Sequence, residues 1–337
     1  MILSRSPTRI SLGGGGTDLP SFYEKYEGFL IAGAINKYII LEANKWFWNS
    51  ISLKYSKIEL TDSIDKIIHP LFREALRLTK IDKGIEIVSL ADIPSGSGLG
   101  SSGAFLVGLL NTLHHFKNET TFKRQLAEEA CKIELDILKE HEGKQDKYAS
   151  AFGGIHAYKF HKNGAVSVIP LINEDIIKSE LEHKIHIYFT GYTREGIASD
   201  VLKKQDIAIK KDDTTIIDYL TEIKRIGCDT LTALEELDFD YFGELLNEHW
   251  CIKQKLNPPK NKEISNIYNY ALKHGATGGK IMGANSDVGF FMFYHPDTTK
   301  AFWEFDKLMI NKGLKPMPFK FDMDGTTILF NGDKDEK

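Results

Sequence analysis

Glycine and serine dominate one stretch of the chain, Asp92 to Phe105, whose composition suits it to hold an anion. Its sequence, DIPSGSGLGSSGAF, follows the strand-like run IEIVSLAD and precedes the apolar run FLVGLLNTLHHF. Glycines leave successive N–H groups free to point at a ligand, and a helix beginning near Ser101 adds unpaired N–H groups and the positive end of its dipole. We therefore expect phosphate here. Ser101 or Ser102 is expected to cap the helix, which leaves the other hydroxyl for a phosphate oxygen or Mg²⁺.

Two common phosphate-binding motifs and one purely structural role are the alternatives to consider for the same stretch. Ala104 stands where a Walker A loop requires lysine, so a P-loop is excluded. Gly98, Gly100 and Gly103 satisfy the pattern GxGxxG, but the second strand ending in an acid that a dinucleotide-binding unit needs is missing. A dehydrogenase therefore remains an alternative only if NAD binds. The structural alternative is a plain glycine-rich turn with a serine cap.

Two carboxylates further along the chain are candidates for chemistry beside a bound anion. On a helix expected over 122–142, Glu134 falls on the apolar side, where a carboxylate needs Mg²⁺ or a nearby lysine as its partner. Asp146 follows in an expected turn and is the candidate proton acceptor, with a role as second metal ligand as the alternative. Lys147 next to it either adds local charge or points to solvent.

A run of four glycines near the N-terminus provides a second place for a ligand. A strand expected over 2–12 leads into GGGG, and Thr17 and Asp18 follow directly. Such a run fits a point where the backbone passes close to a ligand, and a carboxylate accepts two hydrogen bonds from the neighbouring hydroxyls of a polyol. The alternative is that Asp18 caps a helix expected from Pro20.

Composition limits the class of protein. The chain has 337 residues, 42% of them hydrophobic, which is enough for two packed domains. A net charge of −4 argues against a nucleic-acid partner. Three cysteines without CxxC spacing indicate reduced thiols, and we find neither a signal peptide nor a membrane span. We therefore expect a cytoplasmic protein with small-molecule partners.

Amphipathic helices dominate the second half of the chain. A loop expected over 166–184 leads into the strand KIHIYFTGY, and four helices, further strands and one more helix follow. This order indicates an α+β domain. Arg194 comes just after a strand, and Lys253 and Lys255 lie near a helix end, where each alone is more typical of a solvated charge.

Three segments of the chain resemble the motifs of the GHMP family, which groups galactokinase, homoserine kinase, mevalonate kinase and phosphomevalonate kinase. PTRISLGGGGTD resembles the first motif, PSGSGLGSSGAF the second and GATGGKIMGANSDVGFFMFY the third, in the family's order and over nearly the whole chain. Within the family the chain is most similar to kinases that act on D-glycero-D-manno-heptose 7-phosphate. It departs from the family at Ala284 to Asp287, where glycines are usual, and at Lys147, where glutamine is usual.

The resemblance implies the GHMP kinase fold, which is α+β. It places an N-terminal domain like ribosomal protein S5 domain 2 over 1–172 and a C-terminal ferredoxin-like α+β domain over 173–337, with the active site in the cleft between them. ATP and Mg²⁺ are the implied cofactors. The implied reaction phosphorylates the anomeric hydroxyl of heptose 7-phosphate, which feeds GDP-heptose into a capsule or lipopolysaccharide. The alternatives are a kinase for a free hexose or deoxyhexose and a non-catalytic sensor on the same fold, and a homodimer stays open.

The resemblance also assigns site residues. For catalysis it assigns Asp146 and Arg9. For the nucleotide it assigns Pro94, Ser95, Gly96, Ser97, Gly98, Leu99, Gly100, Ser101, Ser102 and Gly103. For the acceptor it assigns Gly15, Gly16, Thr17, Asp18, Arg194, Lys253, Lys255 and Gly279, and for the metal it assigns Ser101, Ser102 and Glu134. One ring of Trp46, Phe47 and Trp48 is expected to stack on the nucleotide base.

Overall fold

The computed structural model describes residues 1–192, 199–298 and 300–332. The elements of the first half are β1 (Ile2–Gly13), α1 (Pro20–Tyr26), β2 (Gly28–Lys45), β3 (Ile51–Lys54), β4 (Ile58–Thr61), α2 (Pro70–Thr79), β5 (Ile85–Ala91), α3 (Ser101–Phe116), α4 (Lys123–Cys131), α5 (Gln145–Phe152), β6 (Ile155–Phe160) and β7 (Val166–Pro170). The elements of the second half are α6 (Glu174–Lys184), β8 (Ile185–Phe189), α7 (Ser199–Lys210), α8 (Thr214–Glu235), α9 (Phe239–Leu256), α10 (Lys262–Lys273), β9 (Gly278–Ile281), β10 (Phe290–Tyr294), α11 (Lys300–Asn311), β11 (Lys315–Pro316) and β12 (Thr327–Asn331).

The larger sheet, counted over the described residues, has eight strands. Its order is β12-β1-β2-β5-β3-β4, and β6 joins β2 and carries β7 on its other side. Strand β2 is 18 residues long, so one part of it pairs with β6 and another with β5. Helices α2 to α5 contribute apolar side chains to the core cluster that this sheet shares with them. The sheet therefore holds β1, the anion-binding stretch and α5 within one packed unit.

The smaller sheet is antiparallel, with the order β11-β8-β10-β9 in the described part of the chain. Every residue of β10, FFMFY, is buried, because both faces of that strand are covered. One core cluster contains Ile10 and Ile31 of the larger sheet together with Phe242 of α9 and Met292 of the smaller sheet. The two sheets therefore share packed side chains, and this fixes the walls of the cleft between them.

The predicted α+β class and the expected helices of the second half agree with the structure, whereas the expected loop over 166–184 is wrong. That segment contains β7 and α6. Strand β7 was too short to stand out by alternation, and α6 carries Glu174 and Asp175 in its first turn, where acidic groups favour a helix. No helix in the described ranges is both long and apolar enough to cross a membrane.

Strand pairing in the described residues links the two ends of the chain across the predicted domain boundary between residues 172 and 173. Strand β7 lies in the larger sheet and β8, the next strand along the chain, in the smaller one. Strand β12, however, returns to the larger sheet and pairs with β1, with Ile2 opposite Asn331 and Arg5 opposite Thr327. The end of the chain therefore belongs structurally with its beginning.

The long helix expected over 122–142 is also wrong. Helix α4 ends at Cys131 and continues as a π-helical turn over Lys132–Ile137, which closes with a hydrogen bond from the Leu138 N–H to the Ile133 carbonyl. Lys139 then adopts a left-handed conformation (φ 56°) that ends the helix. Asp146 consequently lies in the first turn of a new helix, α5, and not in the expected turn after a long one.

Candidate active site

A cavity of about 970 Å³ lies between the two sheets and contains most of the predicted site residues in its wall. The predicted residues that line it are Arg9, Gly15, Gly16, Asp18, Ser95, Gly96, Gly98, Gly100, Ser101, Ser102, Asp146 and Lys253. The predicted residues that do not line it are Thr17, Pro94, Ser97, Leu99, Gly103, Glu134, Lys255 and Gly279. Arg194 lies outside the described residues.

The glycine-rich stretch forms a loop along one side of this cavity. Gly96, Gly98 and Gly100 have φ angles of 71°, 85° and 76°, which side chains other than glycine rarely adopt. The loop is fixed from β1, because the Arg9 N–H donates to the Leu99 carbonyl at 3.0 Å and Arg9 Nη1 donates to the Gly98 carbonyl at 2.7 Å. Leu99 is fully buried and anchors the loop instead of contacting a ligand.

Helix α3 begins at Ser101, as predicted, but neither serine caps it. Gly100 occupies the cap position in a left-handed conformation, and it provides no side chain to bond the first N–H groups. These N–H groups have no partner within the helix, and they carry the positive end of its dipole. The helix start therefore presents the cavity with N–H groups that suit an anion, and both serine hydroxyls are left for other contacts.

Arg9 and Asp146 form an ion pair beside this loop. The carboxylate comes close to the loop because Gly100, the cap residue of α3, and Gly103, in its first turn, leave room for α5. A Cβ on Gly100 would lie 2.9 Å from Asp146 Cγ, and a Cβ on Gly103 would lie 2.6 Å from Asp146 Cβ. Packing against Asp146 therefore accounts for the glycine at 103, which was predicted to contact the nucleotide.

Glu134 and Lys147 form a buried ion pair just behind the cavity wall. Ser102 Oγ donates to Glu134 Oε1 at 2.6 Å, and Lys147 Nζ donates to the Gly143 carbonyl at 2.9 Å. Burial by itself would lower the pKa of Lys147, but the carboxylates of Glu134 and Glu142 outweigh it and hold that pKa above its ordinary value. The expectation that Lys147 points to solvent is therefore wrong, and Glu134 has the lysine partner that was its alternative to a metal.

The N-terminal glycines Gly15 and Gly16 and Asp18 form the part of the cavity wall where the acceptor is expected to bind. The Gln145 N–H donates to Asp18 Oδ2 at 2.9 Å, so this carboxylate is held by α5 and does not cap α1, whose cap residue is Leu19. Burial raises the pKa of Asp18, and the nearby charge of Asp146 adds to that effect. Thr17 is fully buried and donates to the Gly14 and Phe29 carbonyls, so its hydroxyl secures the turn.

Two lysines, Lys253 of α9 and Lys280 of β9, also line the cavity, and only Lys253 was predicted. Lys253 donates to the carbonyls of Ile281 and Gly283 at 2.6 Å and so holds the third motif in place. Lys280 was missed, although it is the one charged residue of the strand GGKI, which is a recognisable signal in the sequence. Lys255, a predicted acceptor contact, is exposed at the end of α9. Gly279, another predicted contact, packs closely instead, because a Cβ there would lie 2.5 Å from the Phe293 ring.

Glycines of the third motif pack against the anion-binding loop. A Cβ on Gly283 would lie 2.6 Å from Gly98 Cα, and a Cβ on Gly289 would lie 2.4 Å from the Ser97 carbonyl oxygen. The motif therefore supports the loop from behind. Between these two glycines, Ala284 to Asp287 form a turn that Val288 follows, and in it the Asp287 N–H donates to Asn285 Oδ1 at 2.7 Å.

The aromatic residues of the cavity differ from those expected. Phe47 and Trp48 lie in the turn between β2 and β3, are 89% and 62% exposed, and do not line the cavity. Trp46 also lies outside it and bonds to Ser50 Oγ. The rings that do line the cavity, among the described residues, belong to Tyr55, His69, Phe105 and His249. The aromatic cluster is close in sequence to the region that was expected to bind the base. Strand β2 ends just before the cluster, however, so the cluster lies away from the cavity.

Comparison with known proteins identifies the family. Sequence profiles of the GHMP kinases N terminal domain and of the GHMP kinases C terminal domain match residues 64–154 and 230–286. The D-glycero-alpha-D-manno-heptose 7-phosphate kinase of Campylobacter jejuni is 31% identical over 314 residues, which cover 89% of this chain and 91% of the relative. The chain belongs to the GHMP kinase family. It is accordingly a sugar kinase, a phosphotransferase with an alcohol group as acceptor, in a family that uses ATP as phosphate donor.

Two solved structures resemble this GHMP kinase over almost its whole length. A D-glycero-D-manno-heptose 1-phosphate kinase from Bacteroides thetaiotaomicron matches with a TM-score of 0.78 at 26% identity, covering 98% of this chain and 99% of that one. A putative sugar kinase from Campylobacter jejuni matches with a TM-score of 0.72 at 28% identity, covering 97% of each chain. The predicted GHMP kinase fold is therefore confirmed.

Proposed function

We propose that this GHMP kinase transfers the γ-phosphoryl group of ATP to the anomeric hydroxyl of D-glycero-D-manno-heptose 7-phosphate and gives the 1,7-bisphosphate. The observation that carries the proposal is the Arg9–Asp146 pair, which lies between the anion-binding loop and the wall that contains Asp18. The similarity to a heptose 7-phosphate kinase over most of both chains supports the choice of acceptor. The product would supply GDP-heptose for a capsule or lipopolysaccharide, and the enzyme would act in the cytoplasm.

In the proposed reaction each wall of the cavity has a separate task. The loop and the start of α3 hold the phosphates of ATP through backbone N–H groups. Asp18 accepts hydrogen bonds from sugar hydroxyls and so positions the ring. Asp146 orients the anomeric hydroxyl and takes its proton as the new O–P bond forms and the bond from the γ-phosphorus to the bridging oxygen of ADP breaks. Arg9 keeps a positive charge beside the reacting oxygens.

Oxygen groups at the wall and just behind it suit Mg²⁺, which prefers hard oxygen ligands. Ser101 and Ser102 line the cavity and would hold the ion together with Glu134, whose carboxylate lies behind the wall, 2.6 Å from the Ser102 hydroxyl, and would exchange its contact with Lys147 for the ion. No group of three or more His, Cys, Asp or Glu suited to a metal occurs in the described part of the chain, so phosphate oxygens and water would complete its coordination. When bound, the ion would neutralise charge on the phosphates of ATP.

Phosphorus NMR of the reaction mixture tests the acceptor and the position of transfer together. The purified enzyme is incubated with ATP, Mg²⁺ and either heptose 7-phosphate, the same heptose without phosphate, or a free hexose. We expect a second phosphate signal coupled to the anomeric proton, formed only with the phosphorylated heptose. Equal turnover of unphosphorylated sugars would refute the proposed acceptor and favour a kinase for free sugars.

The Asp146→Asn variant tests catalysis against a role as a sensor. Removal of a positioned proton acceptor is expected to lower kcat by about 10²- to 10⁴-fold, while ATP binding persists. Steady-state kinetics and calorimetric titration with ATP measure the two quantities separately. A variant with full phosphoryl transfer would remove Asp146 from the mechanism.

A further inference from the structure

Lys280 is a buried cation that faces the cavity without an acidic partner among the described residues. Its side chain is 3% exposed, and the hydrogen-bond partners of its ammonium group within residues 1–192, 199–298 and 300–332 are the Leu12 carbonyl at 3.4 Å and His249 Nδ1 at 3.1 Å. Burial lowers the pKa of Lys280 well below its ordinary value, and the charges of Lys253 and Arg9 lower it further. A buried charge of this kind is unfavourable unless a ligand compensates it.

The position of Lys280 favours the acceptor over ATP. Leu12, whose carbonyl it contacts, immediately precedes the glycines 13–16, and Gly15 and Gly16 line the cavity on the side of Asp18. In the described part of the chain, the hydrogen-bond partners of Lys280 are Leu12 and His249, and neither belongs to the loop over 95–100 that is proposed to hold ATP. An anion at Lys280 would therefore belong to the acceptor or to the transferred phosphoryl group, and the two can be separated by experiment.

His249 gives the same place a second donor. It lies on α9, lines the cavity and is 3% exposed. Burial lowers its pKa well below the ordinary value, and the charges of Lys280 and Lys253 add to this, so the ring is neutral. Nδ1 of the ring lies 3.1 Å from Lys280 Nζ, and in the tautomer that accepts from this ammonium group Nε2 carries an N–H donor for a phosphate oxygen.

We propose that Lys280 and His249 bind the phosphate group that the acceptor already carries, and thereby select a sugar phosphate over the free sugar. This inference rests on the proposed function and adds the residues that recognise the distal phosphate. A bound dianion would supply the charge that Lys280 lacks, and hydrogen bonds to charged groups are among the stronger contacts in binding.

The Lys280→Met variant tests this assignment, with Lys273→Met as its control. Lys273 is exposed at the end of α10 and lies outside the cavity wall, so its replacement removes the same charge elsewhere. For wild type and both variants, kcat/KM is measured with heptose 7-phosphate and with the same heptose lacking phosphate. We expect Lys280→Met to lower kcat/KM for the sugar phosphate by about 10- to 100-fold and to change the value for the free sugar less than about threefold. The KM for ATP should stay unchanged.

Several outcomes would overturn the assignment. Equal losses with both sugars would place Lys280 on the ring or on the transferred phosphoryl group, and a raised KM for ATP would place it on the nucleotide. Failure of the proposed function is visible in wild type alone, as absence of preference for the sugar phosphate. In that case the enzyme is titrated calorimetrically with inorganic phosphate while a non-hydrolysable ATP analogue fills the nucleotide site. Binding of phosphate would then show an anion site that does not serve this acceptor.

Folding of the variant is checked separately. Methionine replaces a buried, uncompensated charge with an apolar chain of similar length, so the melting temperature of Lys280→Met should be no lower than that of wild type. If the variant does not fold, His249→Asn gives a second test, because it removes the Nε2 donor and keeps a polar group beside Lys280. It should lower kcat/KM for the sugar phosphate several times more than kcat/KM for the free sugar. Equal losses with both sugars would overturn the assignment.

Discussion

At the scale of single residues, Lys147 shows how a departure from the family pattern is accommodated. Its ammonium group is buried against Glu134, so neither residue carries an isolated charge. We predict that Lys147→Met destabilises the protein by about 3 kcal/mol or more, because it leaves the Glu134 carboxylate buried without a cation. Urea unfolding at pH 7 measures the change in free energy.

A double-mutant cycle isolates the pair from the rest of the site. The double variant Glu134→Gln/Lys147→Met carries no charge at either position, so it should recover most of the stability that Lys147→Met loses. The Glu134→Gln variant alone leaves Lys147 without its nearest carboxylate and should also be destabilised. Additive losses in the double variant would mean that the two side chains do not depend on each other.

Glu142 is a cavity residue that the sequence analysis missed, and it predicts a dependence of stability on pH. Burial raises its pKa to about 7, and the charges of Asp146, Glu134 and Asp18 contribute, while Lys147 opposes them. Between about pH 4.5 and 7 the unfolded chain ionises this group while the folded protein keeps it protonated. Its contribution to stability is therefore present below pH 4.5 and is lost as the pH rises to 7.

The Glu142→Gln variant should remove this loss. We predict that it matches wild type near pH 4.5 and exceeds it at pH 8 by at most about 3 kcal/mol in the free energy of unfolding. Urea unfolding at both pH values measures the difference. Glu244→Gln, which removes an exposed carboxylate on α9, is the control and should show little change with pH. A constant difference between Glu142→Gln and wild type would contradict the shifted pKa.

At the scale of elements, the glycines of the second motif serve packing as well as binding. Gly103 lies inside α3, and a Cβ there would lie 2.6 Å from Asp146 Cβ and 3.2 Å from the Lys147 nitrogen. We predict that Gly103→Ala pushes α5 away and lowers kcat at least tenfold, because a small displacement of the proton acceptor spoils its alignment. The KM for ATP should change little, since Gly103 does not line the cavity.

Gly84→Ala is a suitable control for Gly103→Ala. Gly84 has φ 71°, so alanine is strained there, but nothing lies within 4 Å of the added Cβ and the turn is remote from the cavity. Any small loss of stability from the strain should leave kcat unchanged. If Gly103→Ala retained the wild-type kcat, the distance between α3 and α5 would not control the position of Asp146.

The sequence allowed the loop, its helix and the two carboxylates near it to be predicted, because their glycine spacing and periodicity are local signals. It did not allow the π-helical turn over Lys132–Ile137 to be predicted, since the same apolar spacing suits a continuous α-helix. Lys147 and Lys280 were missed as buried cations because burial of a charge depends on residues distant in the chain. Phe47 and Trp48 were misplaced for the same reason.

At the scale of the whole molecule, the end of the chain joins the two domains. Strand β12 pairs with β1, which carries Arg9, and Thr326 Oγ accepts hydrogen bonds from Ser6 at 2.6 Å and Asn111 at 3.1 Å. Phe321 is buried in the cluster that both domains share. Without Phe321 and strand β12, the N-terminal half would therefore lack an edge strand and part of its core.

We predict that a chain ending at Met317 does not fold into the native structure, because it loses β12, Phe319 and Phe321 together. The lost core contacts and strand pairing are comparable with the whole free energy of a typical domain, about 5–15 kcal/mol. Thermal unfolding followed by circular dichroism, and binding of a non-hydrolysable ATP analogue, measure the effect. A peptide of residues 318–332 added in trans should restore binding, and a scrambled peptide of the same composition should not. A truncated chain that melts at the wild-type temperature and binds the analogue would show that β1 and the loop beside Arg9 hold their positions without the returning strand.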